Sequence, residues 1–150
     1  MAHSYPALLI NCMDPRLGGK NAEAIAKAAG FGAGQYEQLA YPGPSLWLED
    51  PHHVHDSDLL WWTIDNVSLP IHRIHSVVLV GHSNCGGVKL KGAPQEPAAE
   101  KQAIVASLKR ASQALAKRYP ELHIFPIFVQ ILAEGINNHL PKIVCEKIAV

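Results

Sequence analysis

The chain has 150 residues, enough for one compact domain with a substantial core and too few for two ordinary ones. Lys plus Arg and Asp plus Glu each number 13, so formal net charge is zero, and no basic stripe recurs that would neutralise a phosphate backbone; nucleic acid is not an expected partner. Apolar residues make up 48% of the composition, yet no apolar run approaches the roughly 18 to 20 residues that span a bilayer, which excludes a membrane helix.

The first residues, Met1 to Pro6, lack a basic segment followed by an apolar one, so a cytoplasmic location is expected. Cysteine occurs three times, an odd number in a chain without a secretion signal, which favours free thiols or metal ligands over a disulfide framework.

Pro6-Ala-Leu-Leu-Ile-Asn-Cys12 is a short continuous apolar run that suits a buried parallel strand, with Cys12 at its end. Gly18-Gly19 punctuates, and Lys20 to Ala29 places Ala22, Ile25, Ala26 and Ala29 at helical spacing before Gly30-Phe31-Gly32. A second strand is expected over Tyr36 to Tyr41, closed by Pro42-Gly43-Pro44. Glu49 to Asp56 reads as a polar, His-rich loop. Asp56 or Ser57 then caps a helix running through Leu59, Leu60, Trp62, Ile64 and Val67 to a stop at Pro70.

Ser76-Val-Val-Leu-Val-Gly81 is the clearest strand, and His82 follows it. After a Gly-Gly turn and the loop Gly92 to Pro97, a long amphipathic helix covers Ala98 to Arg118, with Ile104, Val105, Leu108, Ala111 and Leu115 on one face. A last strand over Leu122 to Leu132 and a short terminal helix after Asn138 complete the chain. Strands alternating with helices imply right-handed crossovers, hence an α/β domain over 1–150 with a mainly parallel central sheet flanked by helices. Ligands of such sheets bind outside the carboxyl ends of the strands, where both Cys12 and His82 fall.

His82-Ser83-Asn84-Cys85 is a His-x-x-Cys pair on a Gly-flanked turn, a spacing at which an imidazole and a thiolate reach one tetrahedral ion, with Cys12 as third ligand. Two thiolates and an imidazole favour zinc over oxygen-seeking cations, and three protein ligands leave the open position of a catalytic site. Asp14 and Arg16 follow at alternate positions, so an extended segment points all three side chains one way. A guanidinium can then hold the carboxylate on both oxygens beside a zinc-bound water. The bland reading of the same residues is two buried small hydrophobes, a strand-end histidine bonded to backbone, and a surface ion pair.

Cys12-Met-Asp-Pro-Arg16 resembles the Cys-x-Asp-x-Arg motif of the β-class carbonic anhydrases, and Gly81-His-Ser-Asn-Cys-Gly-Gly-Val88 resembles their Gly-His-x-x-Cys-Gly-Gly segment. The similarity extends loosely from about Pro6 to about Gly135. It implies a zinc cofactor on Cys12, His82 and Cys85, catalytic roles for Asp14 and Arg16, and substrate contacts at Gly43 and Gly86. It further implies the family's α/β fold, reversible hydration of carbon dioxide to bicarbonate by zinc-bound hydroxide, and a homodimer or higher homo-oligomer.

The chain departs from the family where Arg-Asn-Ala-Gly-Asn is replaced by Ala40-Tyr41-Pro42-Gly43-Pro44. A longer stretch, including Pro51-His-His-Val-His55, precedes the His82 motif, and the family's N-terminal helical arm is expected to be missing, since Cys12 lies almost at the start. Hydrolysis of carbonyl sulfide or carbon disulfide on the same fold, and a non-catalytic zinc-binding module, are the competing readings. His52, His53 and His55 are candidate proton-export groups, because histidine titrates near neutrality. Trp61 and Trp62 are expected at a subunit interface, and Cys145 is expected to be a structural thiol.

Overall fold

The computed structural model describes residues 4–49, 54–132 and 141–150, with the backbone alone for 54–57. Five strands form one sheet in the order β2-β1-β3-β4-β5. They are β1 (Ala7–Asn11), β2 (Tyr36–Ala40), β3 (Ser76–His82), β4 (His123–Ile131) and β5 (Ile143–Lys147). The first four run parallel and β5 is antiparallel to β4. Both β1 and β3 are buried along their whole length, as their unbroken apolar sequences require of central strands covered on two faces.

The helices are α1 (Gly19–Ala28), α2 (Pro44–Leu48), α3 (Val54–Thr63), α4 (Gly86–Leu90) and α5 (Pro97–Arg118). The chain leaves β1 towards β2 in one direction and then crosses back over β1 to β3 and on to β4. Right-handed crossovers in opposite directions lie on opposite faces, so α1 covers one face while α3 and α5 cover the other. The direction reverses between β1 and β3, and their carboxyl ends part there into the crevice in which α/β sheets bind ligands.

The α5 stripe packs on β3 and β4, and Ile104, Leu108, Ala111 and Leu115 are buried as their spacing requires, with Val105 half-buried. Gly81 permits this approach. A Cβ there would come 2.5 Å from Cγ2 of Ile104 and 3.2 Å from Cδ1 of Leu108, so only glycine lets the helix lie this close to the strand.

Three expectations change. The segment after Asn138 is not a helix over its described part: Ile143–Lys147 is an edge strand. Its residues alternate half-buried and exposed at Ile143, Val144, Cys145 and Glu146, a period of two that pairing with Ile127–Ile131 turns into a ladder. The main helix of the second crossover, between β2 and β3, begins at Val54, inside the stretch read as loop, and continues past Thr63 as a π-helical turn, Ile64–Ser68. Trp61 is buried against Tyr119 within the chain, whereas Trp62 is exposed. His52 and His53 lie outside the described residues, as does the side chain of His55. No helix among the described residues is long and apolar enough to cross a membrane.

Candidate metal centre

Strand register brings the two motifs together. Ala7 pairs with Ser76 and Ile10 with Leu79, and continuing that register puts Cys12 level with Gly81, one residue before His82. His82 is the last residue of β3, not the first beyond it. The chain then turns through Ser83 and Asn84, whose φ of 56° is left-handed, and Cys85 caps the first turn of α4. The ligand atoms of Cys12, His82 and Cys85 all lie within 4.8 Å of one another, and all three residues are buried.

The donor set fits a tetrahedral zinc ion. The two sulfurs are 3.9 Å apart. Two Zn–S bonds of about 2.3 Å at the tetrahedral angle separate their sulfurs by about 3.8 Å. Nδ1 of His82 lies 3.0 Å from the Ser83 carbonyl, which can only accept, so Nδ1 carries the proton and Nε2 keeps its lone pair. That Nε2 is buried and has no hydrogen-bond partner, an orphan that a metal would satisfy.

The thiols are tuned in opposite directions. A hydrogen bond from the Cys85 thiol is the main reason that Cys12 falls to about 4 despite its burial; His82 and the backbone N–H groups of Gly43 and Asp14 add to it. Cys85 is pushed up, first by sharing that bond and then by burial. The pair thus takes one negative charge readily and resists a second, which is the behaviour expected where a cation is needed to hold two thiolates together.

Asp14 stands beside this cluster, with Oδ2 4.0 Å from Nε2 of His82. Arg16 grips it bidentately: Nε donates to Oδ1 at 3.0 Å and Nη2 to Oδ2 at 2.6 Å. The guanidinium is the main cause that holds the Asp14 carboxyl below the usual carboxylate range. The local path is not the extended segment expected from alternation. Asp14 caps a 3-10 turn, Pro15–Leu17, by accepting from the Arg16 backbone N–H at 2.9 Å, and that turn folds the Arg16 side chain back onto its own cap. Nη2 of Arg16 also reaches the Asn84 carbonyl at 3.2 Å, joining the two motifs.

Of the two glycines marked as substrate contacts, Gly43 has φ 56° and lends its N–H to Cys12, which places it in the environment of the thiolate. Gly86 is exposed at the start of α4, and a Cβ there would meet nothing within 4 Å. Gly87, not singled out from sequence, is the tightly placed one. A Cβ on it would lie 2.9 Å from the backbone nitrogen of Gly43, so its bareness lets the Pro42-Gly43 segment close over the cysteines. Cys145 is apart from the cluster, half-buried on β5, and burial pushes its thiol up.

The architecture that carries these residues matches solved β-carbonic anhydrases. One of two tetrameric β-carbonic anhydrases from the filamentous ascomycete Sordaria macrospora aligns with a TM-score of 0.59 and 14% identity, over 85% of this chain and 77% of that one. The β-carbonic anhydrase CcaA aligns with a TM-score of 0.58 and 12% identity, over 85% and 70%. CafA of Aspergillus fumigatus gives 0.56 and 14%, over 85% and 72%. The chain has the β-carbonic anhydrase fold. No family model matches the sequence, and no curated protein does.

Within the β-carbonic anhydrase fold, Cys12, His82, Cys85, Asp14 and Arg16 meet at the crevice between β1 and β3. A separate cavity of about 380 Å³ lies between α2, α4 and α5, lined by Leu46, Glu49, Val88, Lys91 and Arg110 among others; Cys12, Asp14, Arg16, His82 and Cys85 do not line it. Sequence reasoning missed Glu100, a buried acid whose Oε2 accepts the Asn84 N–H at 2.9 Å. Its signal was an acidic residue four positions before Ile104, on the stripe that otherwise faces the sheet.

Proposed function

We propose that the chain is a zinc-dependent carbonic anhydrase of the β class, which interconverts carbon dioxide and water with bicarbonate and a proton. The convergence of the Cys12, His82 and Cys85 ligand atoms beside an Arg16-held Asp14 carboxylate carries this reading. A zinc ion bound there supplies a Lewis acid that makes a coordinated water easier to deprotonate. Cys12, Cys85 and Nε2 of His82 would hold that ion, and the His82 Nδ1–H bond to the Ser83 carbonyl fixes the ring that presents Nε2. Asp14 accepts a hydrogen bond at the mouth of the site and orients the attacking oxygen. Arg16 keeps the carboxylate ionised and fixes its angle, so that its lone pairs face the cluster.

Metal analysis and a carbon dioxide hydration assay on the parent and on Asp14→Ala test the reading. One zinc per chain in both, with hydration lost in the variant, is the expected result. A zinc-loaded parent without hydration activity at any pH overturns it.

A second reading keeps the centre and changes the substrate to carbonyl sulfide or carbon disulfide. The segment that closes over Cys12 supports it: Tyr41 meets Trp47 edge to face at 6.1 Å, and Trp47 Nε1 donates to the Pro42 carbonyl at 2.7 Å, which gives this wall an aromatic character. Sulfide release assayed beside hydration separates the two.

A homo-oligomer belongs to the same proposal. A neighbour of this fold is tetrameric, and Met13 and Leu132, which follow β1 and β4 at the carboxyl end of the sheet, are exposed apolar residues. Light scattering that gives a monomer mass at micromolar concentration would remove this part alone.

A further inference from the structure

Glu100 is nine-tenths buried, and no cation pairs with it among the described ion pairs. Burying a carboxylate is costly unless its bonds are supplied. Two features offset that cost. Glu100 sits in the first turn of the 22-residue α5, where the helix end favours negative charge, and Oε2 accepts the Asn84 N–H at 2.9 Å. Its other oxygen, Oε1, is buried without a partner among the described residues.

Asn84 is the residue between the ligands that has a left-handed backbone. In that conformation its N–H points inward to Glu100 while its carbonyl accepts Nη2 of Arg16 at 3.2 Å. The rest of the turn is held by β4, through the Ser83 N–H to Val129 and the Ile131 N–H to Oγ of Ser83. Glu100 is thus the side chain of α5 that fixes the Asn84 end, and without it the N–H would lose this acceptor and turn to solvent, which would let the turn reopen.

We infer that Glu100 is a positioning residue for the metal centre: its carboxylate locks the Asn84 peptide, and so sets both the His82-to-Cys85 spacing and the carbonyl that braces Arg16. The inference rests on the metal site proposed above and goes beyond it, because an acid sixteen residues from Asn84 governs ligand geometry.

Zinc affinity by chelator competition, and the absorption spectrum of the cobalt-substituted protein, test it on Glu100→Met and Glu100→Gln. The methionine fills the space without an acceptor, whereas glutamine keeps a carbonyl oxygen for the Asn84 N–H. Glu100→Met is expected to weaken zinc binding about tenfold or more, the range of lost partners behind metal ligands, and to alter the cobalt bands; Glu100→Gln should restore both to within about threefold of the parent. Parent-like affinity and spectrum in Glu100→Met, or an equal loss in Glu100→Gln, overturns the inference and leaves the proposed function standing. A parent that takes up neither metal overturns both.

Should Glu100→Met fail to fold, amide hydrogen exchange of the parent decides. A protected Asn84 N–H supports the lock, and exchange at the rate of an open loop refutes it.

Discussion

Oδ2 of Asp14 lies 4.0 Å from Nε2 of His82, close enough to share a ligand sphere and too far for a hydrogen bond between them. The carboxylate is thus free to act on whatever occupies the fourth position, while Arg16 keeps it from turning away. Asp14→Asn, which keeps the shape and removes the charge, should lower the hydration rate by about 10² to 10⁴ with zinc retained, as expected for a lost acid-base group. Stopped-flow hydration beside metal analysis gives the answer, and loss of zinc in the variant would instead make Asp14 a ligand.

Arg16→Gln should move the acid limb of the activity profile upward in pH. Arg16 is the first cause of the lowered Asp14 pKa, so its removal lets the carboxyl return towards its ordinary value and protonate sooner. The stability effect has the same origin. A depressed carboxyl contributes stability that is complete above its unfolded pKa of about 3.9 and is lost as pH falls through the lower folded value, so the parent should lose this increment in strong acid and Arg16→Gln should not. Denaturant midpoints of both proteins against pH measure the difference, and parallel curves would contradict it.

Single substitutions Cys12→Ala, His82→Ala and Cys85→Ala should each leave the chain with little zinc, whereas Cys145→Ala should leave zinc content unchanged. The first three contribute the atoms that lie within 4.8 Å of one another, and Cys145 on the edge strand contributes none. Zinc per chain after gel filtration is the readout. Normal zinc in Cys12→Ala would favour the reading of Cys12 as a packing residue.

The glycines around the site should separate into three classes. Gly81→Ala drives a methyl to 2.5 Å from Ile104 and should cost about 1 to 3 kcal/mol through overpacking. Gly87→Ala meets the backbone of Gly43 and Pro42 at 2.9 and 3.0 Å, so it should lower zinc affinity as well as stability by displacing the segment over Cys12. Gly86→Ala projects into open space and should change stability by less than about 0.5 kcal/mol. Urea unfolding with a parallel zinc titration distinguishes them.

The backbone of the fold was legible because central parallel strands must be apolar on both faces. Ala7–Asn11 and Ser76–His82 announce themselves as unbroken runs, and the α5 stripe announces itself by its helical spacing. The terminal strand was not legible. Ile143–Lys147 has a weak alternation on a short segment, and only its pairing with β4 makes it a strand. The helix starting at Val54 was hidden by its polar first turn, His55-Asp-Ser57, which continues the polar composition of the stretch before it.

For the site, residue type and spacing marked the candidate ligands. A His-x-x-Cys pair is a weak signal by itself, but together with Cys12 at a second strand end and the resemblance of both motifs it singled out Cys12, His82 and Cys85, with Asp14 and Arg16 beside them. What brings them together was decided by topology: the crossover over β1 sets β3 next to it in register, and no local signal fixes that neighbour. The tertiary structure alone assigned the supporting roles. Gly87 matters because the Gly43 backbone approaches it and Glu100 because the Asn84 N–H faces it, whereas the Arg16 grip on Asp14 was expected and only the 3-10 turn that makes it was not. Those roles depend on distances between segments far apart in the chain, whereas a ligand is recognised by its own chemistry, which every residue carries in its identity.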